Sequence, residues 1–201
     1  GHSEEEAQKR VIRFDVQKTD ELINGSWSKE SKEKYGKENH PSIIQDGLKG
    51  LIGNEDVDLI IGGPPCQAYS IAGRAQSPTG MKNDYRNYLF ESFVKIVDFF
   101  KPKAFVFENV PGLLTACPGD IPVRIRIYEA FKAIGYEIRT PDTLKNSVYC
   151  AEDYGVPQKR NRIIIFGTKT GSNLSPEDFY SCLTKNKSTL PHKTVRDAIG
   201  N

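Results

Sequence analysis

Paired cysteines are missing from this 201-residue chain. Its four cysteines, Cys66, Cys117, Cys150 and Cys182, are widely scattered. No CxxC pair points to zinc, and nothing suggests a secreted disulfide framework. No apolar run approaches the length needed to span a bilayer, and no signal peptide or internal repeat is visible. Charge of one sign is also lacking: 28 Lys and Arg stand against 26 Asp and Glu, a net of +2. Bulk basic character therefore does not advertise a nucleic-acid partner, and any such surface must be local. What these absences leave is a chain of a length that suits one domain with a real core, in a reduced, cytoplasmic setting.

What is present is concentrated in three segments. Gly62-Gly63-Pro64-Pro65-Cys66-Gln67 follows the apolar run Val57-Asp58-Leu59-Ile60-Ile61. A buried strand runs into a turn that two glycines let bend and two prolines stiffen. A thiol there is offered to the carboxyl end of a strand, where open α/β sheets bind ligands. For a lone cysteine, a small space-filling role is the commoner fate; the partners reverse that preference. Ala104-Phe105-Val106-Phe107 is a second short strand, ending in Glu108-Asn109-Val110-Pro111-Gly112. Between the two lies a helical pattern of Tyr88, Leu89, Phe93, Ile96, Val97 and Phe100, so the spacing is that of a βαβ unit with adjacent strand ends. Thiol plus carboxyl group suggests nucleophile plus general acid. Taken alone, Glu108 reads as a capping or solvated carboxylate. The third segment, Gln158-Lys159-Arg160-Asn161-Arg162, opens the strand Ile163-Ile164-Ile165-Phe166-Gly167. Alternation puts Gln158, Arg160 and Arg162 on one face. The two forks suit a carboxylate, a nucleobase oxygen or a phosphate, unless they are simply a solvated strand start.

Together the three segments resemble the DNA (cytosine-5) methyltransferase family. Pro-Cys-Gln, Glu-Asn-Val and Gln-x-Arg-x-Arg are its catalytic motifs, here in family order. Asp84-Tyr85-Arg86-Asn87-Tyr88-Leu89-Phe90 and Asp153-Tyr154-Gly155-Val156-Pro157 look like the motifs between them. The resemblance runs from about Val57 to Gly167, with an echo at Thr194-Val195-Arg196-Asp197-Ala198-Ile199. It implies methyl transfer from S-adenosylmethionine to C5 of cytosine in DNA. Cys66 is then the nucleophile that adds at C6, Glu108 holds or protonates N3, and Arg162 holds O2 and orients Glu108. Arg160 supports the same pocket or a phosphate, and Asn109 fixes the turn carrying Cys66. Pro64, Leu89 and Asp15 are the implied cofactor contacts. Gln67, Ser70, Arg74 and Lys82 are the implied DNA contacts, the last two on a mobile catalytic loop over 68–83. The target base must leave the duplex to be reached. The setting implied is a bacterial restriction-modification enzyme in the cytoplasm, close to the nucleoid, with a nuclear setting left open. The tRNA-acting branch is the alternative, although it usually carries Pro-Phe-Thr where this chain has Ala68-Tyr69-Ser70. A non-enzymatic DNA-binding subunit of a split methyltransferase is another.

The chain also departs from the family. Its 17 glycines include no Phe-x-Gly-x-Gly-Gly turn of the kind the family uses for its cofactor. The expectation is a Rossmann-like α/β methyltransferase core truncated at its N-terminal strand and lacking the target-recognition domain. Such a fragment is expected to be inactive alone, its partners being duplex DNA and a complementary subunit or the remainder of its own chain. Strands are expected near 11–15, 57–61, 104–107, 136–140 and 162–168, and helices near 41–52, 88–100 and 123–134. Thr19 is expected to cap a short helix. Asp15 is expected at a strand end, with Asp46 its rival, on the polar face of a helix. Residues 25–40 read as a flexible or loosely helical insertion around Trp27.

Overall fold

A computed structural model describes residues 3, 9–65, 89–118 and 120–200, and it divides the chain into two compact units, 1–56 and 57–201. Cys66, Gln67, Ser70, Arg74 and Lys82, and the expected 68–83 loop, lie outside the described residues.

The first unit is helical. α1 (Thr19–Asn24), α2 (Lys29–Tyr35) and α3 (Pro41–Ile52) surround Trp27, which is buried. Its ring stacks on Phe14 at 4.2 Å, and its Nε1 donates to Glu21 O at 3.0 Å. Burying an indole with its N–H satisfied secures a small core that apolar residues alone would leave thin. Gly25 (φ 71°) and Gly47 (φ 61°) pass backbone to backbone, with no room for a Cβ on either. Gly47 sits inside α3 with non-helical dihedrals and breaks its ladder there.

Two expectations fail in this unit. Residues 11–15 form no strand, because the Asn39 side chain takes the bonds a neighbouring strand would: Arg13 N donates to Asn39 Oδ1 (3.0 Å), and Asn39 Nδ2 donates to Arg13 O (2.8 Å). Asp15 is therefore not a strand-end carboxylate. It closes a turn, with Gln17 N donating to its Oδ1 at 3.0 Å. Thr19 does not cap α1. It is the first helical residue, and its hydroxyl donates to Val16 O (2.8 Å). Asp46 is exposed on α3.

The second unit is a mixed sheet flanked by helices. β1 (Leu59–Gly62) pairs in parallel with β2 (Ala104–Asn109), and α4 (Leu89–Phe100) lies between them in sequence. β5 (Asn161–Lys169) pairs antiparallel with the whole length of β2 through Ile163–Thr168. Its other edge is shared: β3 (Tyr136–Glu137) takes Thr168 and Lys169, and β4 (Val148–Cys150) takes Asn161 to Ile163. Between them the Tyr180 hydroxyl takes Phe166 N and Ile164 O, and the expected 136–140 strand stops after two residues.

The core lies between one sheet face and two helices, α4 and α5 (Val123–Ala133). Phe105 and Phe107 of β2 and Ile163 and Ile165 of β5 point to it and are fully buried. Phe93 meets Phe105 and Phe107 edge-on at 5.9 and 5.4 Å, while Phe105 stacks on Phe131 at 4.1 Å. The opposite face carries α6 (Pro176–Lys185). There Tyr180 Oη accepts from Phe166 N (2.9 Å) and donates to Ile164 O (3.1 Å), and Phe179 stacks on Phe166 at 4.1 Å. A short α7 (Val195–Ile199) carries a capping box between Thr194 and Asp197. Among the described residues, no helix is long and apolar enough to cross a membrane.

Candidate active site

Two strand ends and one strand start meet at a single edge of the second unit's sheet. Parallel pairing puts Gly62, the end of β1, opposite Phe107 of β2, so the Gly63-Pro64-Pro65 turn rises beside Glu108 and Asn109. Antiparallel pairing puts the start of β5 on the other side of the same residues, with Glu108 opposite Ile164 and Asn109 opposite Ile163. Alternation then separates the two polar residues. Asn109 points to the core side and is buried, while Glu108 shares the other face with Arg162 and Ile164.

Glu108 and Arg162 form the centre of the site. Arg162 Nε lies 2.7 Å from Glu108 Oε1 in a partly shielded pair. Arg162 also donates through Nη1 to Asn161 O at 2.8 Å, so its planar fork is fixed in two directions. Glu108 Oε2 lies against the chain at Gly63, where a Cβ would sit 3.0 Å from it. Gly63 thus leaves the space that the carboxylate occupies. Asn109 anchors the turn: its Nδ2 donates to Pro64 O (3.2 Å), and its Oδ1 accepts from Val110 N (2.9 Å). One buried amide therefore ties the end of β2 to the residue two positions before Cys66. These contacts are charge-assisted or buried, the kinds most costly to lose.

The basic segment enters differently from the alternation first read. Residues 158–160 precede β5, and Gln158 N closes a tight turn on Val156 O (2.7 Å). Arg160 is exposed, yet it lines the same cavity as Arg162. That cavity of about 320 Å³ has Tyr149, Tyr154, Ile164 and Leu183 among its walls. Tyr149 lies directly across the β4–β5 pair from Arg162. No sequence signal marked Tyr149, because a three-residue strand is too short to show a period. Burial pushes the Tyr154 phenol above its ordinary value, and it donates to Leu183 O at 3.2 Å. Lys187, 2.8 Å from Asp153 Oδ2, holds that carboxyl group below the usual range.

The remaining expected residues scatter. Pro64 is half-buried in the turn, Leu89 opens α4 with its side chain buried, and Asp15 belongs to the first unit. Among the described residues, no glycine-rich strand-to-helix turn forms. No group of three or more His, Cys, Asp or Glu among the described residues is placed to hold a metal.

A family model for the C-5 cytosine-specific DNA methylase matches residues 14–201. A type II methyltransferase of Bacillus paralicheniformis is 46% identical over 147 residues, covering 72% of this chain and 32% of that protein. A type II methyltransferase of Haemophilus parahaemolyticus is 38% identical over 161 residues, covering 80% of this chain and 38% of its own. The chain therefore spans about a third of the length of these curated relatives. Among solved structures, a prophage-encoded E. coli protein described as a DNA modification methyltransferase superposes with a TM-score of 0.53 at 29% identity. That match covers 76% of this chain and 37% of that one.

Proposed function

The chain belongs to the C-5 cytosine-specific DNA methylase family, and from that membership and the geometry above we propose that it carries the catalytic residues for methyl transfer from S-adenosylmethionine to C5 of cytosine in DNA, in a bacterial restriction-modification setting. The observation that carries the reading is the Glu108–Arg162 pair, held at 2.7 Å beside the turn that leads into Cys66. C5 of cytosine is a poor nucleophile. A thiolate that bonds to C6 pushes ring electrons toward N3 and O2 and leaves an enamine with its reactive carbon at C5. Covalent catalysis of this kind splits one difficult step into easier ones.

Each residue has a task in that scheme. Cys66 follows the exposed Pro65 directly in the chain and is the nucleophile. Glu108 meets N3 of the base and supplies or holds the proton there, where charge develops. Arg162 spends Nε on Glu108 and Nη1 on Asn161, which leaves Nη2 for the base O2. Arg160, at the rim, serves a phosphate or supports the same pocket. The cytosine reaches this edge only when flipped from the duplex, at a cost of roughly a few kcal/mol. S-adenosylmethionine supplies the methyl group when bound. Gln67, Ser70, Arg74 and Lys82 are the proposed DNA contacts.

The test is a pair of substitutions in the full-length gene product. Glu108→Gln should keep the fold and lower the methylation rate by about 10²–10⁴-fold, the usual worth of a positioned proton donor. Arg162→Ala should do the same and also displace Glu108. Near-wild-type rates in both variants would remove the pair from the mechanism.

A further inference from the structure

The cavity beside the Glu108–Arg162 pair is not needed for the chemistry at the target base. It lies on the far side of Arg162, toward β4. Glu108 sits on β2 and Tyr149 on β4, with β5 between them, so the two are separated by two strand spacings, roughly 10 Å. The cavity is lined by Tyr149, Tyr154, Ile164 and Leu183, with the guanidinium-bearing Arg160 and Arg162 also in its wall. Its volume of about 320 Å³ is at the small end for a ligand pocket and suits one planar ring system.

Its walls are built rather than accidental. Tyr149 and Tyr154 meet edge to face at 6.2 Å, and the Tyr154 hydroxyl is fixed to Leu183 O on α6. The nearby carboxylates are engaged elsewhere: Asp153 binds Lys187, and Glu152 accepts from Cys150 Sγ at 3.4 Å and lies near His192. What remains is an almost wholly apolar wall carrying two tyrosine rings, with the exposed Arg160 at its rim: a ring face for an unstacked base and a cation within reach of its phosphate.

We propose that this cavity is a second base pocket, which takes a nucleotide next to the target cytosine on the same strand once the duplex has opened. The base stacks on Tyr149, and Arg160 holds the connecting phosphate. The proposal rests on the reading of the chain as a DNA-acting enzyme, and it adds a stacking contact on Tyr149 that none of the three catalytic segments supplies.

Photo-cross-linking tests it. The 201-residue chain is irradiated with a single-stranded oligodeoxynucleotide carrying one 5-iodouracil, digested with trypsin and analysed by mass spectrometry. Residues 146–159 form one tryptic peptide that contains both tyrosines. The cross-link is expected on Tyr149 in that peptide. It should survive Tyr149→Phe and Cys66→Ala. It should fall about tenfold, the loss of one stacking platform, in Leu183→Trp, which fills the cavity from α6 and leaves Tyr149 in place. Thermal melts of each variant confirm that the fold is kept. Cross-links confined to other peptides, or an unchanged yield in Leu183→Trp, would overturn the pocket. A Tyr149 cross-link, together with a full-length gene product whose Cys66 never reacts with a cytosine analogue, would leave the pocket standing and sink methyl transfer. A reactive Cys66 without the cross-link would do the reverse.

Discussion

Glu108 owes its position to residues that do no chemistry. Asn109 next to it is 3% exposed and holds Pro64 O, and Gly63 gives up a side chain so that Oε2 can lie against the turn. Substituting Gly63→Ala puts a methyl group 3.0 Å from that oxygen, tighter than ordinary van der Waals contact. The carboxylate must then shift by a few tenths of an ångström. We expect the fold to be retained and the methylation rate to drop about ten- to a hundredfold, because small misplacements of a positioned group are costly. Thermal melts and single-turnover rates of the full-length variant check this together. A lowered melting temperature with an unchanged rate would make Gly63 a structural residue only. These roles were only partly legible in the sequence. Glu108 and Arg162 were named only because the three motifs occur together in family order, each being unremarkable alone, and Asn109 was read as the anchor of the turn. Gly63 was visible as a glycine but not as the room for a particular oxygen, since that depends on which face β2 turns outward.

At the scale of elements, long periodic segments were readable and short ones were not. α3, α4 and α5 match the apolar spacing that predicts them, and β2 and β5 match their apolar runs. β4 escaped notice because three residues carry no period, although it delivers Tyr149 to the side of Arg162. The strand expected at 11–15 failed because Asn39, 26 positions after Arg13, replaces a strand partner with one side chain. No local pattern announces such a contact. The end of α4 offers a test of its own. Lys101 follows the helix with φ 46°, a left-handed conformation that glycine adopts without a Cβ penalty, and Pro102 comes next. Lys101→Gly relieves that strain and loses only an exposed ion pair with Asp98, which is worth little. It should stabilise the protein by about 0.5–1 kcal/mol, read as a higher denaturant midpoint with an unchanged slope. A lower midpoint would contradict the assigned conformation.

The molecule as a whole combines a helical unit with an α/β unit whose sheet edge holds the candidate chemistry, and its stability at high pH has a specific prediction. Tyr136 Oη donates to Pro102 O at 2.6 Å in the second unit's core, and burial, with a smaller contribution from Asp98, raises its phenol to about 12. The folded state therefore favours the neutral phenol. That contribution is fully present below the unfolded value near 10 and is lost as pH rises through about 12. Denaturant melts between these pH values should show falling stability, with a shallower fall in Tyr136→Phe. Identical slopes in both proteins would mean that other groups set the alkaline limit. Family membership was readable from three ordered motifs, whereas the division into two units was not, because neither composition nor a linker marks the junction near Asp56. The central claim is that Cys66 attacks cytosine at the edge shaped by Glu108 and Arg162. Mass spectrometry of the full-length gene product, incubated with S-adenosylmethionine and DNA whose target base is 5-fluorocytosine, tests it most directly. The account predicts a stable covalent adduct on the tryptic peptide containing Cys66, absent in Cys66→Ala although DNA binding persists. An adduct that forms equally in Cys66→Ala, or that maps to another cysteine, would contradict it.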